Sequence, residues 1–458
     1  MSTVDIEGWN FATRQVHAGT EHHAGHRPRA TPIYLSAGFV FDDFAQASGR
    51  FDGSEDGHAY TRVSNPTHAA LERRIAALEG GAGALFVGSG QAATSTALLA
   101  LAASGDHIVA SSSLYEGSRE FLRETLARFG IAVTFVADNA DAAQWRRAIT
   151  PRTRALFAES IPNPKNDLLD IAAVAQVAHD AHIPLVVDNT LASPYLLRPI
   201  EHGADIVVHS ASKFLSGHGT VLGGVVVDAG RFDWAADDRF PQFSLERGPD
   251  GRTRIERAGE LAYLDFARTL AMRFGPAASP LNSFLVLQGI ETLSLRVQRQ
   301  SDSALAVARW LERQPEVAAV DYSGLDSSPS RDLARTYLPR GQGSVFGVTL
   351  RGGLAAARAF IDAVTLFTRM SHLGDVRSLV LHPGSTTHVG RTEEERVASG
   401  IDPGLVRLSI GVEDPDDLIR DLAQALVAAR AATSDAATPA APETAAAASA
   451  RVVEAGAR

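Results

Sequence analysis

Apolar residues recur along this chain in short runs separated by stretches of helical spacing. Asn65 can cap a helix that Pro66 opens; Leu71, Ile75 and Leu78 fall on one face, and Gly80 with Gly81 stops it. From there strand-like and helical segments alternate. The runs ALFV (84–87), HIVA (107–110), AVTFV (132–136), RALFAES (154–160), PLVVDNT (184–190), ADIVVHSAS (204–212) and LGGVVVD (222–228) are short and mostly rich in β-formers. Helices are expected between them from Gly90 to Ala103, through Phe121 and Leu126, and from Asp170. The pattern predicts an α/β fold whose mostly parallel sheet is covered on both faces. Ligands of such sheets gather beyond the C-terminal strand ends.

Beyond about residue 265 the rhythm changes. A long helical stretch, FLVLQGIETLSLRVQRQSDSALAVARWLERQ, precedes strands near VFGVTL and VRLSIGV and a last helix to about Ala429, which predicts a smaller α+β domain. The expected organisation is an arm over 1–65, more extended than packed, a large domain over 66–265, and the α+β domain over 266–432. Residues 433–458 are Ala, Thr, Pro and Glu with few large apolar side chains; they cannot offset their ordering entropy and are expected to be disordered. The chain contains no evident internal repeat.

A chain of 458 residues is too long for one small core, and its 45% hydrophobic and 21% charged residues are ordinary for a globular protein. The net charge of −10, with no basic run, argues against nucleic-acid or anionic-membrane partners and favours small molecules. The absence of cysteine removes disulfides, thiolate metal sites and a cysteine nucleophile together. The N-terminus is acidic and lacks a signal-peptide pattern, and no apolar stretch approaches the roughly 20 residues of a membrane helix, so a cytoplasmic setting is expected. In EHHAGH, His22, His23 and His26 could meet a metal, but zinc wants a closed ligand set and no fourth ligand is evident; no metal is expected.

The candidate chemistry sits at the strand ends. Asp188 closes PLVVD, where a carboxylate is costly unless a cation such as a protonated pyridine nitrogen meets it; a helix cap or an ion pair is the plainer reading. Lys213 follows DIVVHSAS at the same edge, flanked by Ser210 and Ser212 and followed by the glycine-rich SGHGTVLGG. A desolvated lysine suits Schiff-base chemistry, whereas most lysines after strands are simply solvated. Gly88-Ser89-Gly90-Gln91 lies where a strand turns into a helix, so free N–H groups could hold a phosphate, or the glycines could serve a tight turn. Ala93 stands where a dinucleotide fingerprint wants a third glycine, which weakens a nicotinamide reading. Tyr115 could stack on a flat cofactor or belong to the core, and Asn163 lies in a loop between two prolines. Together they form the arrangement in which a lysine and an acid hold pyridoxal phosphate (PLP).

Three long segments carry a family resemblance: HSASKFLSGHGTVLGG, VVDNTLASPYLLRPIEHGADIVVHSASK and AYTRVSNPTHAALERRIAALEGG. The chain resembles the Cys/Met-metabolism family of PLP enzymes from about residue 10 to 430. The insertion GRFDWAADDRFPQF and the runs LNSFLVLQGIETLSLRVQRQ and SLVLHPGSTTH point to its branch acting on acylated homoserine. The resemblance implies a fold type I, aspartate aminotransferase-like PLP transferase with a seven-stranded, mostly parallel sheet. It implies γ-replacement of O-acetyl-L-homoserine by sulfide, giving homocysteine and acetate. Cystathionine synthesis or cleavage, methionine γ-cleavage and succinyl-ester use would employ the same site. Lys213 would bind the cofactor, Asp188 its ring nitrogen, Tyr115 its face and Asn163 the neighbourhood of its hydroxyl. Gly90, Gln91, Ser210 and Ser212 would hold the phosphate, joined by Tyr60 and Arg62 of a neighbouring subunit. Arg407 would grip the substrate carboxylate with Ser378 beside it, the alternative for Arg407 being a salt bridge. The implied assembly is a homo-oligomer, a tetramer built from dimers that share active sites.

Overall fold

A computed structural model of the protein describes residues 8–20 and 27–436. The seven runs read as strands are strands: β1 (Gly83–Val87), β2 (His107–Ser111), β3 (Ala132–Val136), β4 (Thr153–Glu159), β5 (Leu185–Asp188), β6 (Ile206–Ser210) and β7 (Gly224–Asp228). They form one sheet in the order β1-β7-β6-β5-β4-β2-β3. β7 runs antiparallel to both neighbours and the other pairings are parallel.

Burial explains why these segments are continuously apolar. Leu185, Val187 and Val207 face one packed layer, and Val186, Ile206 and Val208 the opposite one, so each strand must be hydrophobic on both sides. The helix α3 (Pro66–Glu79) begins and ends where its punctuation says. The Asn65 side chain accepts from Thr67 N at 2.9 Å, and Gly80 closes the helix at φ 80°.

A second sheet of five strands follows: β8 (Val317–Asp321), β9 (Val345–Leu350), β10 (Thr368–Arg369), β11 (Leu379–Leu381) and β12 (Leu405–Ser409), in the order β10-β11-β12-β9-β8. Its core is a third cluster, with Phe346, Phe360, Leu408 and Leu422 fully enclosed.

Three expectations need correction. Residues 1–65 are not simply extended, because they carry α1 (Phe11–His17) and α2 (Phe44–Asp52); Phe11 docks in the main core and Gln15 exchanges hydrogen bonds with Ser294. The long helical stretch is two helices, Pro280–Glu291 and Leu293–Leu311, interrupted at Thr292. The last helix runs Pro415–Ala436, past both Ala429 and the expected boundary at 432, since alanine continues a helix at little cost. Residues 437–458 of the expected tail, and the His22, His23 and His26 cluster, lie outside the described residues.

Because β7 is reversed, its terminal Asp228 falls at the edge of the sheet opposite to Asp188. Asp228 is buried, and its Oδ1 accepts from Gly230 N at 2.9 Å. Burial pushes this carboxyl up to about 7. The folded chain therefore holds a proton that the unfolded chain, titrating near 3.9, has already lost. Stability from this group is complete below about pH 4 and declines as pH rises toward 7. Asp228→Asn is expected to lose about 1–3 kcal/mol less stability between pH 5 and pH 8 than the parent. Urea titrations at the two pH values check this, and parallel losses in both proteins contradict it.

Candidate active site

The C-terminal edge of the large sheet gathers side chains from five strand ends. After β1, Gly88-Ser89-Gly90-Gln91 turns into α4 (Gly90–Leu99). Ser89 is extended at φ −162°, and its hydroxyl accepts from Ala92 N at 3.1 Å, fixing the helix start. A Cβ on Gly90 would stand 2.6 Å from the Ser210 Cβ, so glycine alone lets this turn close on the end of β6. Gly224 does the same opposite the Ser89 carbonyl. The result is a helix N-terminus beside Ser210, with Gln91 exposed in its first turn.

Beyond β2, Tyr115 precedes α5 (Glu116–Glu120) with its ring half exposed. Its N–H donates to Glu159 Oε1 at 2.5 Å, and a Cβ on Gly117 would stand 2.6 Å from its ring. Glu159 ends β4 and lies in register with Asp188 at the end of β5. Burial first, and then the charge of Asp188, raises the Glu159 carboxyl well above the usual range. Asp188 is also raised by burial, while a hydrogen bond from Thr190 N to its Oδ1 at 2.9 Å works the other way. Two acids thus share a desolvated edge, where burial favours the neutral form of each and an incoming cation would favour an anion.

Lys213 rises from the turn after β6, its N–H held by the Ser210 carbonyl and its carbonyl by the N–H of Gly217, which adopts φ 74°. Its Nζ donates to His372 Nδ1 at 3.0 Å. Burial, reinforced by the nearby Arg407 guanidinium, lowers the amine to about 8. Arg407, on β12, is 4% exposed and donates to the His372 carbonyl at 3.0 Å. Burial brings it down to about 10, and no carboxylate among the described residues pairs with it, so the salt-bridge alternative fails. A buried guanidinium without a carboxylate partner, near a weakly basic amine, is suited to receiving a carboxylate that arrives with a substrate.

The model of the Cys/Met metabolism PLP-dependent enzyme family matches residues 12–427. The chain belongs to that family. The family member is 44% identical to the O-acetyl-L-homoserine sulfhydrylase of Leptospira meyeri, covering 90% of this chain and 96% of that one. It is 43% identical to the homocysteine synthase of Schizosaccharomyces pombe, over 92% and 99% of the two chains. Among solved structures, a Campylobacter jejuni protein named for O-acetylhomoserine (thiol)-lyase superposes with a TM-score of 0.88 at 35% identity, covering 92% of this chain and all of that one. That structure carries an N′-pyridoxyl-lysine-5′-monophosphate at its position 205. The two-sheet architecture described above is accordingly the PLP-transferase fold.

The residues present fit pyridoxal phosphate. A weakly basic amine, a buried acid at the same sheet edge, a glycine-lined helix start and an Asn163 Oδ1 that is buried without a partner among the described residues are what an enclosed pyridine phosphate would satisfy. Ser212 is buried at this edge, with its hydroxyl accepting from Gly223 N at 3.0 Å. Ser378 departs from its expected position: its hydroxyl donates to Glu413 Oε2 at 2.9 Å and accepts from Gly411 N at 2.9 Å, so it is spent on fixing the entrance to β11. Tyr60 and Arg62, expected to serve a neighbouring subunit, lie together in this chain, the Arg62 guanidinium 5.6 Å from the exposed Tyr60 ring and donating to the Met272 carbonyl at 2.6 Å.

Sequence reasoning passed over Glu159, Thr190 and His372. Glu159 carried a signal, being a carboxylate that ends an otherwise apolar strand just as Asp188 does. His372 carried none, because its loop meets the lysine only through packing of the second sheet on the first.

Proposed function

We propose that the enzyme converts O-acetyl-L-homoserine and sulfide to L-homocysteine and acetate, by γ-replacement. The reading rests chiefly on the weakly basic Lys213 amine, which lies near Arg407 and rises at the same edge of the large sheet as Asp188, and it agrees with the names of its relatives. PLP supplies an electron sink for the pair released when the substrate's α-proton departs. Lys213 would carry the cofactor through Nζ, and its amine, when free, would accept the substrate's α-proton and serve the later proton transfers at the β-carbon. Asp188 would keep the ring nitrogen protonated, Tyr115 would cover the ring and assist proton transfer as acetate leaves the γ-carbon and sulfide takes its place, and Asn163 would serve the ring hydroxyl.

Gly90, Gln91, Ser210 and Ser212 would hold the phosphate through N–H and hydroxyl groups. Arg407 would bind the substrate carboxylate in bidentate fashion, without Ser378. Tyr60 and Arg62 would complete the phosphate site of a second copy, which makes the functional unit a homo-oligomer of at least two chains and, in this reading, a tetramer. The exposed Leu35, Val40, Phe44, Phe51 and Tyr60 of the arm supply apolar area for such an interface. The arm (1–65), the cofactor-binding unit (66–265) and the smaller unit (266–432) then have separate tasks. No helix among the described residues is long and apolar enough to cross a membrane; the cytoplasm is the location we assign.

Purified protein given O-acetylhomoserine and sulfide is expected to release homocysteine. Absence of homocysteine, with cystathionine made or cleaved instead, would replace this reading by another activity of the same site.

A further inference from the structure

His372 stands on the loop between β10 and β11, and that loop is pressed against the lysine turn. Gly374 N donates to Ser409 Oγ at 3.0 Å, and a Cβ on Gly374 would stand 2.9 Å from Phe214 N, the residue after Lys213. The loop is therefore held on both sides, by β12 and by the turn that carries the amine.

From this position His372 meets both reactive cations. Its Nδ1 accepts from Lys213 Nζ at 3.0 Å, and its carbonyl accepts from Arg407 Nη2 at 3.0 Å. Its Nε2 is buried without a partner among the described residues. The charged groups facing it are Lys213, Arg407 and, from its own loop, Arg377 and Asp375; the Asp375 carboxylate is taken by Arg377 at 2.8 Å and 3.0 Å. Burial, with Lys213 next, lowers the imidazole to about 4. A neutral imidazole is an acceptor at Nδ1 when its proton sits on Nε2, and an ammonium can only donate.

We propose that His372 is a positioning residue for Lys213, its neutral ring receiving the amine whenever the amine is free of the cofactor and holding it beside Arg407. The inference rests on the reading of Lys213 as the cofactor lysine and assigns this chain's own device for controlling it. The acceptor favours the charged amine, and so opposes the burial and the Arg407 field that discharge it. Removing the acceptor should let the amine lose its proton at lower pH. The carboxylate-binding guanidinium should change little, because its contact is to the backbone.

The test uses cofactor-stripped protein, with trace acetic anhydride labelling of Lys213 followed across pH by mass spectrometry. His372→Leu and His372→Ala are expected to lower the labelling midpoint by about half a pH unit or more. His372→Asn, which restores an acceptor, should return it close to the parent value. In the holoenzyme the leucine variant should move the acid limb of the kcat profile to lower pH while the KM for O-acetylhomoserine changes by less than about 3-fold. An unmoved midpoint in the leucine and alanine variants, or an asparagine variant that shifts as far as they do, overturns the proposal. Borohydride reduction of the holoenzyme, with the label mapped by mass spectrometry, judges the underlying reading separately: a label away from Lys213 sinks that reading, while the apoprotein titration still decides the contact.

Discussion

Lys213→Ala is expected to remove homocysteine formation almost completely, by about 10⁴-fold or more in kcat. The amine's affinity for protons is brought close to neutrality, to about 8, by burial and by Arg407. Alanine removes the covalent anchor and the proton acceptor in one step. The change should leave the fold intact, since the turn is built from backbone bonds to Ser210 and Gly217 that alanine retains. The variant should therefore remain folded, take up pyridoxal phosphate only reversibly, and resist reductive labelling by borohydride at this position. Undiminished turnover would remove Lys213 from the mechanism.

The second large effect is expected at Asp188. Asparagine can still accept from Thr190 N, so Asp188→Asn keeps the local shape and removes only the charge. Without that charge the ring nitrogen has no anion to hold its proton, and the electron sink weakens; kcat is expected to fall by about 10²–10³-fold with cofactor still bound. The loss should appear in kcat more than in KM, because the charge acts on the reacting electrons rather than on the substrate carboxylate. Glu159 gives the control. It is a buried carboxyl raised well above the usual range, and Glu159→Gln keeps an acceptor for Tyr115 N, so it should cost far less than the Asp188 change. Equal losses at the two positions would mean that the negative charge does not reside at Asp188.

Much of this was legible in the chain as written. Strands buried on both faces must be apolar throughout, so ALFV, HIVA and PLVVD announced themselves, and a carboxylate or lysine closing such a run stood out against its surroundings. Asn65-Pro66 and Gly80 marked the limits of α3 because capping chemistry is local. Less visible were features set by contacts distant in sequence. Gln15 docks α1 onto Ser294, 279 residues away, which turns part of an apparently extended arm into packed structure. Ser378 lies three residues from Leu381, the register partner of Arg407, and is claimed by Glu413, and a pairing of that kind leaves no periodic trace.

The sequence by itself determined the order of elements, the mostly parallel architecture and the placement of Asp188 and Lys213 at the same edge of the sheet, because each follows from residue type and spacing along a short segment. Only the tertiary structure decided that Glu159 shares the edge with Asp188, that Arg407 is buried without an anion, and that His372 meets the amine. These depend on strand order and on how the second sheet packs against the first. Desolvation and hydrogen-bond reach, which set the charge of each group, exist only once those distant segments are in contact.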